Sequence, residues 1–443
     1  MTVASTTTRD TSGWAGHPRG ISTLFFTEMW ERFSYYGMRG FLILYMTASA
    51  ANGGLGFDDR RAATVYGNYV GAVWLTPILG GLIADRLLGQ YRSVLVGGII
   101  IALGHFTLAF KSLPSFYLGL TLIVIGTGLL KPNVSTLVGS LYEKGDERRD
   151  AGFTVFYMGI NLGAFIGPLI AGWLAQKVDW HMGFAAAGVG MTLGLVQYVM
   201  GRRRLEPARE RLAARPKPAA AEAAAGRPRY TPDEVQRIAV IFILFIFASI
   251  FWGAYEQAGS TLNLFGDRYT NNVVLGFAFP SSWYVSVQAG FVILLAPAFA
   301  WLWIKLGPRQ PSVPTKFAFA LLCAGIAFLL LVPAGAIAQS GMRVSPLWLV
   351  GTYFIEEWGE LSLSPVGLSA VTKLSPPRIV SLMMGVFFLA NSLGNKLAGW
   401  TAGFISAMPL TQLFGTIAAV CLVASLIMFV LIRPVRRMMG DVR

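Results

Sequence analysis

The sequence predicts an all-α membrane protein that crosses the bilayer twelve times. Of its 443 residues, 54% are hydrophobic and 13% are charged, and the mean hydropathy is +0.57. A soluble domain usually carries about twice that share of charged residues. Twelve apolar stretches are long enough to cross the hydrocarbon core, and a helix is the only spanning form available to a single segment.

The spans are separated by short polar connections and, in the middle of the chain, by an Ala-, Arg- and Pro-rich linker. The spans are predicted at 20–50, 61–88, 92–111, 115–140, 149–173, 181–200, 235–262, 282–306, 315–338, 345–372, 379–404 and 410–433. We therefore expect five regions: an N-terminal tail (1–19), an N-terminal six-helix bundle (20–200), a linker (201–234), a C-terminal six-helix bundle (235–433) and a C-terminal tail (434–443).

The distribution of basic residues predicts the orientation of the chain. Of the 36 Lys and Arg residues, 26 fall on the side that holds both termini, 6 on the other side and 4 within spans. By the positive-inside rule, both termini are expected in the cytoplasm. The basic residues that give the net charge of +14 are thus concentrated on the cytoplasmic side of the membrane. We therefore expect the basic linker to contact lipid, and we expect no nucleic-acid partner.

The first span holds a dense group of polar side chains. About 100° of rotation per residue places them on one side of a helix. They are Glu28, Glu31, Arg32, Tyr35, Tyr36 and Arg39. A charge at the bilayer centre costs on the order of 3 kcal/mol, so we predict a water-filled site where the acids exchange protons and Arg39 meets an anionic group. The alternative is a structural ion pair, which is equally plausible for Arg32, four residues after Glu28.

Three other spans carry isolated polar groups. Lys131 lies near the middle of span four beside Pro132. We expect its side chain to face the protein interior, and the alternative is that it extends to the membrane interface. Asn161 in span five either lines a cavity or joins two helices. Glu256 in span seven is either functional or half of a simple interhelical pair.

Span ten contains Glu356, Glu357 and Glu360, followed by Pro365. Pro365 removes a backbone hydrogen bond and is expected to bend the helix just after Glu360, which favours a cavity there. Lys396 in span eleven is expected to be interfacial or paired.

The sequence gives little support for enzyme chemistry. The sequence has no HExxH, GxSxG or P-loop pattern, so we expect no enzyme, no metal and no cofactor. The three histidines, His17, His105 and His181, are not expected to couple protons. If the protein couples to protons, the carboxylates are therefore expected to bind and release them.

Four motifs carry a family resemblance. Gly80–Gly89 resembles the GGxxADRxxG loop of the major facilitator superfamily, which implies a structural latch role for Asp85 and Arg86. Glu28–Tyr36 resembles ExxERFxYY and Phe156–Gly163 resembles FYxxINxG. Together with Glu360–Ser369, these motifs resemble the proton-dependent oligopeptide transporters of that superfamily over essentially the whole chain.

The resemblance implies inward proton-coupled symport of di- and tripeptides by alternating access, by a functional monomer in the bacterial inner membrane. It implies a proton-coupling group of Glu28, Glu31, Arg32 and Glu256, and a site for the peptide carboxylate at Arg39 and Lys131. It places the peptide amine near Glu360 and Asn161, with Gln288 assisting, in a pocket lined by Tyr35, Tyr36, Trp74, Tyr157 and Trp252. Glu256 is expected to pair with Arg39, and Lys131 with Glu360, when the pocket is empty or closed. Arg60 or Arg61 facing Asp267 is expected to form an outer gate.

The sequence also departs from that family. Gln288-Ala289 stands where Asn-Pro is frequent, and Trp74 stands where Tyr is frequent. Glu356 and Glu357 add carboxylates where neutral residues are usual, and either is expected to carry a proton or a local salt bridge. The two extra helices that many bacterial relatives have between their halves are missing.

Three alternatives stay open. A transporter of the same family can carry nitrate, a small organic anion or a glycoside, although the intact ExxER motif favours peptide. A membrane enzyme would alter its peptide chemically. A sensor would bind without accumulating its ligand inside sealed vesicles.

Overall fold

The structure is a computed structural model that describes residues 10–143, 146–214, 230–376 and 379–440. The first half of the chain forms α1 (Gly20–Thr47), α2 (Asp59–Leu75), α3 (Pro77–Ile83), α4 (Gln90–Leu108), α5 (Leu113–Ser140), α6 (Arg148–Gly167), α7 (Trp173–Lys177) and α8 (Trp180–Met200), followed by α9 (Glu206–Ala213). The second half forms α10 (Pro232–Tyr255), α11 (Thr261–Arg268), α12 (Trp283–Leu306), α13 (Val313–Gln339), α14 (Leu347–Leu374), α15 (Val380–Ala402) and α16 (Leu410–Met439). A hairpin of β1 (Val273–Val274) and β2 (Phe277–Ala278) precedes α12.

The twelve predicted helical spans are confirmed. Three of them are composite, because α2 continues through α3, α6 through α7, and α10 through α11. Within the described residues, nine segments are long and apolar enough to cross a membrane. Helices α1, α14 and α15 are not among those nine, and in α1 and α14 several charges interrupt the apolar sequence. The two most polar spans are thus the ones that carry most of the candidate site.

Local sequence explains where two of the helices begin. Asp58 precedes α2, and its Oδ1 accepts a hydrogen bond of 2.8 Å from the Arg61 backbone N–H. Thr231 precedes α10, where its hydroxyl accepts from the Glu234 N–H and the Glu234 carboxylate accepts from the Thr231 N–H. These contacts satisfy backbone donors that have no partner inside the helix.

Helix α10 ends earlier than the predicted span 235–262. It stops at Tyr255, and a 3-10 turn over Glu256–Gly259 leads into α11. A Cβ at Gly259 would lie 1.9 Å from the Tyr66 hydroxyl and 2.7 Å from Arg39 Nε. Glycine is therefore required for this close approach between the two halves of the chain, and the turn places Glu256 against α1.

Part of the predicted linker 201–234 is helical. Leu205 and Ala208 are buried, and Arg211 Nη1 donates to the Leu141 carbonyl at 2.6 Å. This contact satisfies a carbonyl at the C-terminal end of α5. Residues 215–229 of the linker lie outside the described residues, and the division into two six-helix bundles stays a prediction.

The molecule has two ends that can be named by their connections. The hairpin end holds the connections α1–α2, α4–α5, α7–α8, α11–α12, α13–α14 and α15–α16. The linker end holds the connections α3–α4, α5–α6, α8–α10, α12–α13 and α14–α15. Hydrogen bonds such as that from Trp180 Nε1 to the Asn52 carbonyl, at 2.9 Å, join neighbouring connections at the hairpin end.

Candidate functional site

The first component of the site is the acidic group on α1. Arg32 Nε lies 3.3 Å from Glu28 Oε1 and also bonds to the Glu31 carboxylate. All three side chains are buried. Glu28 Oε2 and Arg32 Nη2 have no hydrogen-bond partner among the described residues. Two acids therefore share one guanidinium in the protein interior, an arrangement whose net charge depends on how many protons it holds.

The second component joins the two halves of the chain. Arg39 of α1 forms a buried ion pair with Glu256, in the turn after α10. Arg39 Nε also donates to the Tyr66 hydroxyl at 2.7 Å, and its guanidinium lies 5.8 Å from the Tyr36 ring centroid. The expected pairing of Arg39 with Glu256 is present in this conformation.

Lys131 is the second cation of this region. Its Nζ lies 3.2 Å from the centroid of the Trp74 ring, a favourable cation–π contact. It is also within electrostatic reach of Glu28, Glu31 and Glu256. The expected Lys131–Glu360 pair does not form, because Lys131 rests on Trp74 of its own half instead of extending to α14.

The opposite side of the site is acidic. Glu360 of α14 is buried, and its Oε2 has no partner among the described residues. Tyr157 of α6 is within electrostatic reach of Glu360, Glu357 and Tyr36, so side chains of both halves act on one another here. Carboxylates of the second half therefore lie near a tyrosine of the first half.

Neutral polar groups complete this region. Asn161 Nδ2 donates to the Tyr157 carbonyl of its own helix at 3.0 Å. Gln288 Nε2, Trp252 Nε1 and the Tyr35 hydroxyl are buried without a hydrogen-bond partner among the described residues. Their hydrogen-bonding capacity is therefore unused by the described residues.

Aromatic rings lie beside these polar groups. Tyr35 and Tyr36 pack edge to face at 5.0 Å, and the Arg32 guanidinium lies 5.1 Å from the Tyr35 ring centroid. Trp252 packs edge to face with Tyr255 at 5.3 Å. Rings beside charged groups suit a ligand that is polar at its ends and variable between them.

The two additional acids of α14 make no ion pair among the described residues. Glu357 Oε1 accepts a hydrogen bond of 2.8 Å from the Tyr255 hydroxyl. Both oxygens of Glu356 are buried without a described partner. From the sequence, we expect these residues either to carry a proton or to form a local salt bridge. The salt bridge is not present among the described residues.

The expected ion pair of Arg60 or Arg61 with Asp267 is not formed among the described residues of this conformation. The ion pair at this place joins Asp59 and Arg268, with 2.6 Å between Asp59 Oδ1 and Arg268 Nη2. Asp59 thus supplies the charged contact from the start of α2 to the second half, while the side chains of Arg60 and Arg61 are exposed.

The residues named in the predicted gate make other contacts. Arg61 lies over the Phe57 ring at 3.9 Å, and Asp267 accepts a hydrogen bond from Ser281 at 2.8 Å. Asp59, the first residue of α2, also accepts from the Ser406 hydroxyl at 2.5 Å.

The remaining predicted residues lie away from these charges. Asp85 is exposed at the linker end and accepts from Gln90 Nε2 at 2.7 Å, while Arg86 is exposed beside it. Helix α14 continues through Pro365. The latch role of Asp85 and Arg86 stays a prediction.

Sequence reasoning missed several partners of the residues that it identified. Tyr66 bonds to Arg39, Tyr255 to Glu357, and Asn68 to Lys396. Polar side chains inside predicted spans are the signal that marks all three. The Asn68 contact agrees with the expectation that Lys396 is paired.

Comparison with known proteins gives consistent results. The POT family model matches residues 91–211 and 222–422. The chain is 40% identical to an uncharacterized transporter of Bacillus subtilis, YclF, over 97% of this chain and 96% of that protein. It is 37% identical to the peptide transporter YePEPT of Yersinia enterocolitica, over 99% and 98%. It is 36% identical to a di-/tripeptide transporter of Lactococcus lactis, over 97% and 98%.

Solved structures show the same likeness. A crystal structure of a peptide transporter in complex with alafosfalin is 39% identical and superposes with a TM-score of 0.90 over 98% of both chains. A POT family transporter in complex with 5-aminolevulinic acid is 32% identical, with a TM-score of 0.86 over 96% of this chain and 98% of that one. The major-facilitator-type fold is thereby confirmed, and the chain is a multi-pass membrane protein that belongs to the POT family.

Proposed function

We propose that this protein carries di- and tripeptides into the cell together with protons, by alternating access. The peptide assignment is supported by relatives whose names describe peptide transport. The observation that carries the mechanism is the ion pair between Arg39 and Glu256, which links the two halves beside two further acids and a lysine. Like the rest of the family, the protein is a transporter and is not proposed to be an enzyme.

A short peptide is a zwitterion with an ammonium group at one end and a carboxylate at the other. Arg39 and Lys131 offer positive charge to the carboxylate. Glu360 and Asn161 accept the amine, with Gln288 as a further polar contact. Because these charges are fixed and the space between them is lined with aromatic rings, the site selects length and termini more strongly than side chains.

Proton coupling follows from competition for Arg39. A peptide carboxylate that binds Arg39 displaces Glu256, and a carboxylate that loses its cation in a dry site binds a proton more readily. Glu28 and Glu31 share Arg32 in the same way. The two acidic groups thus connect peptide binding with proton uptake on one side of the membrane and release on the other.

The positive-inside rule supports a cytoplasmic linker end, with both termini inside, and an outward-facing hairpin end. The conformation described here, joined at the hairpin end, is then the inward-facing one. We place the protein in the bacterial inner membrane, in contact with lipid, as a functional monomer whose coupling ion is the proton.

Replacement of one coupling acid tests the proposal. Glu31→Gln keeps the size of the side chain but cannot release a proton, so it is expected to retain peptide exchange between equal pools and to lose uphill uptake driven by a pH step. Glu147→Gln, an exposed acid at the linker end, is the matched control and is expected to keep both activities. Uphill uptake by Glu31→Gln in proteoliposomes would refute the role of Glu31.

A second candidate is a small amino acid-like substrate. A solved POT family relative is in complex with 5-aminolevulinic acid, which also carries an amine and a carboxylate at its two ends. Competition between that compound and a dipeptide for labelled uptake separates the two candidates. The preferred substrate is the one that competes at the lower concentration.

A further inference from the structure

A groove at the hairpin end lies outside the central site. It has a volume of about 740 Å³ and is bounded by the ends of α6, α12 and α14 and by the β-hairpin. Phe165 and Leu169 form the wall from the first half, and Trp283, Val287 and Val350 form the wall from the second half. The groove therefore lies across the contact between the two halves of the chain.

The surroundings of the groove indicate that it faces lipid. Val273, Val274 and Phe277 of the hairpin are about half exposed, and Leu275 at its tip is fully exposed. A cluster of apolar side chains of this size is unfavourable in water but suits the boundary between headgroups and acyl chains. Trp283 lies in the same wall, and tryptophan is enriched at that depth of the bilayer.

One cation is placed at the edge of this apolar groove. Arg343 is exposed, and among the described residues its guanidinium makes one hydrogen bond, from Nη1 to the Thr270 carbonyl at 3.2 Å. Its other N–H groups remain available, and a guanidinium binds phosphate with two parallel hydrogen bonds. Asn271 and Ser345 add polar groups near the same edge.

We propose that this groove binds a glycerophospholipid, with the phosphate on Arg343 and an acyl chain between the walls from the two halves. The complementary features are a positive rim and an apolar channel that opens toward the bilayer. The Trp283 indole N–H already donates to the Leu169 carbonyl across the halves, at 3.1 Å. Because both halves form the groove, bound lipid stabilises the conformation that is joined at the hairpin end. This site does not depend on the peptide substrate.

Lipid retention by the purified full-length protein tests the proposal. Native mass spectrometry and thermal unfolding are measured with added phosphatidylglycerol, with diacylglycerol, which has no phosphate, and with glycerol 3-phosphate, which has no acyl chain. We expect one retained phosphatidylglycerol and a raised melting temperature, and neither effect from the other two compounds. Equal retention of diacylglycerol would show that the groove does not recognise the phosphate. Binding of glycerol 3-phosphate alone would show that it binds a phosphate but not a lipid.

Three variants locate the lipid. Arg343→Gln is expected to weaken retention about ten-fold, the usual loss for a charged hydrogen-bond partner. Val350→Trp fills the groove and is expected to abolish retention without changing the melting temperature of the lipid-free protein. Lys177→Gln, an exposed cation at the same end but outside the groove, is the control and is expected to retain lipid normally.

Retention that is unchanged in both groove variants would show that the lipid lies elsewhere and would overturn the proposal. Absence of retention by the unaltered protein would do the same. A dimer that forms in place of lipid binding would assign the groove to a second copy of the chain.

Discussion

The two ends of the interface between the halves are held together very differently. At the hairpin end, Asp59 pairs with Arg268, and Asn263 Nδ2 donates to the Gly40 carbonyl at 2.7 Å. Gln176 Oε1 also accepts a hydrogen bond of 2.9 Å from the Ser282 backbone N–H. At the linker end, no hydrogen bond or ion pair between described residues joins the halves.

In the proposed alternating-access cycle, this difference locates the contacts that opening of the hairpin end would break. The close approach of α2 and α15 needs two glycines, Gly67 and Gly399, and it is supplemented by a polar cluster around Asp59. Opening that end must break specific contacts, which another set at the linker end must replace. The Arg39–Glu256 pair also joins the two halves, and in the proposed mechanism a bound peptide carboxylate competes for it.

The largest expected effect comes from preventing the close approach of the helices. In Gly399→Val, the new Cβ would lie 2.4 Å from Gly67 Cα, and only backbone movement relieves such a contact. Overpacking costs about 1–3 kcal/mol, so the hairpin-end contact is expected to open and peptide uptake to fall by about ten-fold or more. Spin labels at exposed Thr64 and Ala407 are expected to report a longer distance across this end.

The control for that variant is on the same helix. A Cβ at Gly385 of α15 meets nothing within 4 Å. Gly385→Val is therefore expected to leave the spin-label distance unchanged. An equal change in both variants would mean that helix propensity, and not the close approach, controls this end.

A smaller effect is expected at the ion pair. Asp59→Asn keeps the shape but leaves Arg268, whose side chain is 29% exposed, without its counter-ion. The pair is partly buried, so we expect a loss of about 1–2 kcal/mol in favour of the open hairpin end, between the values for exposed and buried pairs. The same spin-label distance measures the shift.

Two further variants make the ion-pair result specific. Exchange of the charges, Asp59→Arg with Arg268→Asp, is expected to restore part of the closure. Arg60→Gln removes an exposed neighbouring charge and is expected to change nothing. Opening by Arg60→Gln instead would support the gate that the sequence predicted.

The smallest effect is expected for an ion pair at the same end that lies within one half. Lys111 Nζ lies 3.0 Å from Asp179 Oδ2, and the lysine side chain is 69% exposed. Exposed pairs contribute about 0–1 kcal/mol, so Lys111→Gln is expected to leave both uptake and the spin-label distance unchanged. A clear loss of uptake would mean that the difference between the two ends is not confined to contacts between the halves.

Much of this architecture was accessible from the sequence, for identifiable reasons. Crossing a membrane requires about 20 apolar residues, so length and hydropathy predicted the helical spans, although three of the twelve are less apolar than the other nine. The charges of α1 are costly in lipid, so Glu28, Glu31 and Arg32 were correctly expected to face the interior. Both predictions depend on properties of a single segment.

The predictions that differ from this conformation concern relations between segments. The ion pair at this place uses Asp59, one or two residues before the predicted Arg60 or Arg61. The sequence of α2 alone does not determine how α2 is rotated against the second half. No proline marks the end of α10 at Tyr255, since the turn that follows is explained by the docking of Gly259 on Arg39 and Tyr66. The expected Lys131–Glu360 pair depends on which neighbour Lys131 contacts, and in this conformation that neighbour is Trp74.

The central claim is that fixed opposite charges recognise both ends of a short zwitterion while acids couple the cycle to protons. The most direct measurement is uptake of labelled dialanine into proteoliposomes under an imposed pH step, with N-acetylated and C-amidated dialanine as competitors. The account predicts accumulation that unlabelled dialanine inhibits and that either capped peptide inhibits only weakly. Inhibition by both capped peptides as strong as by dialanine itself, or accumulation that is independent of the pH step, would contradict it.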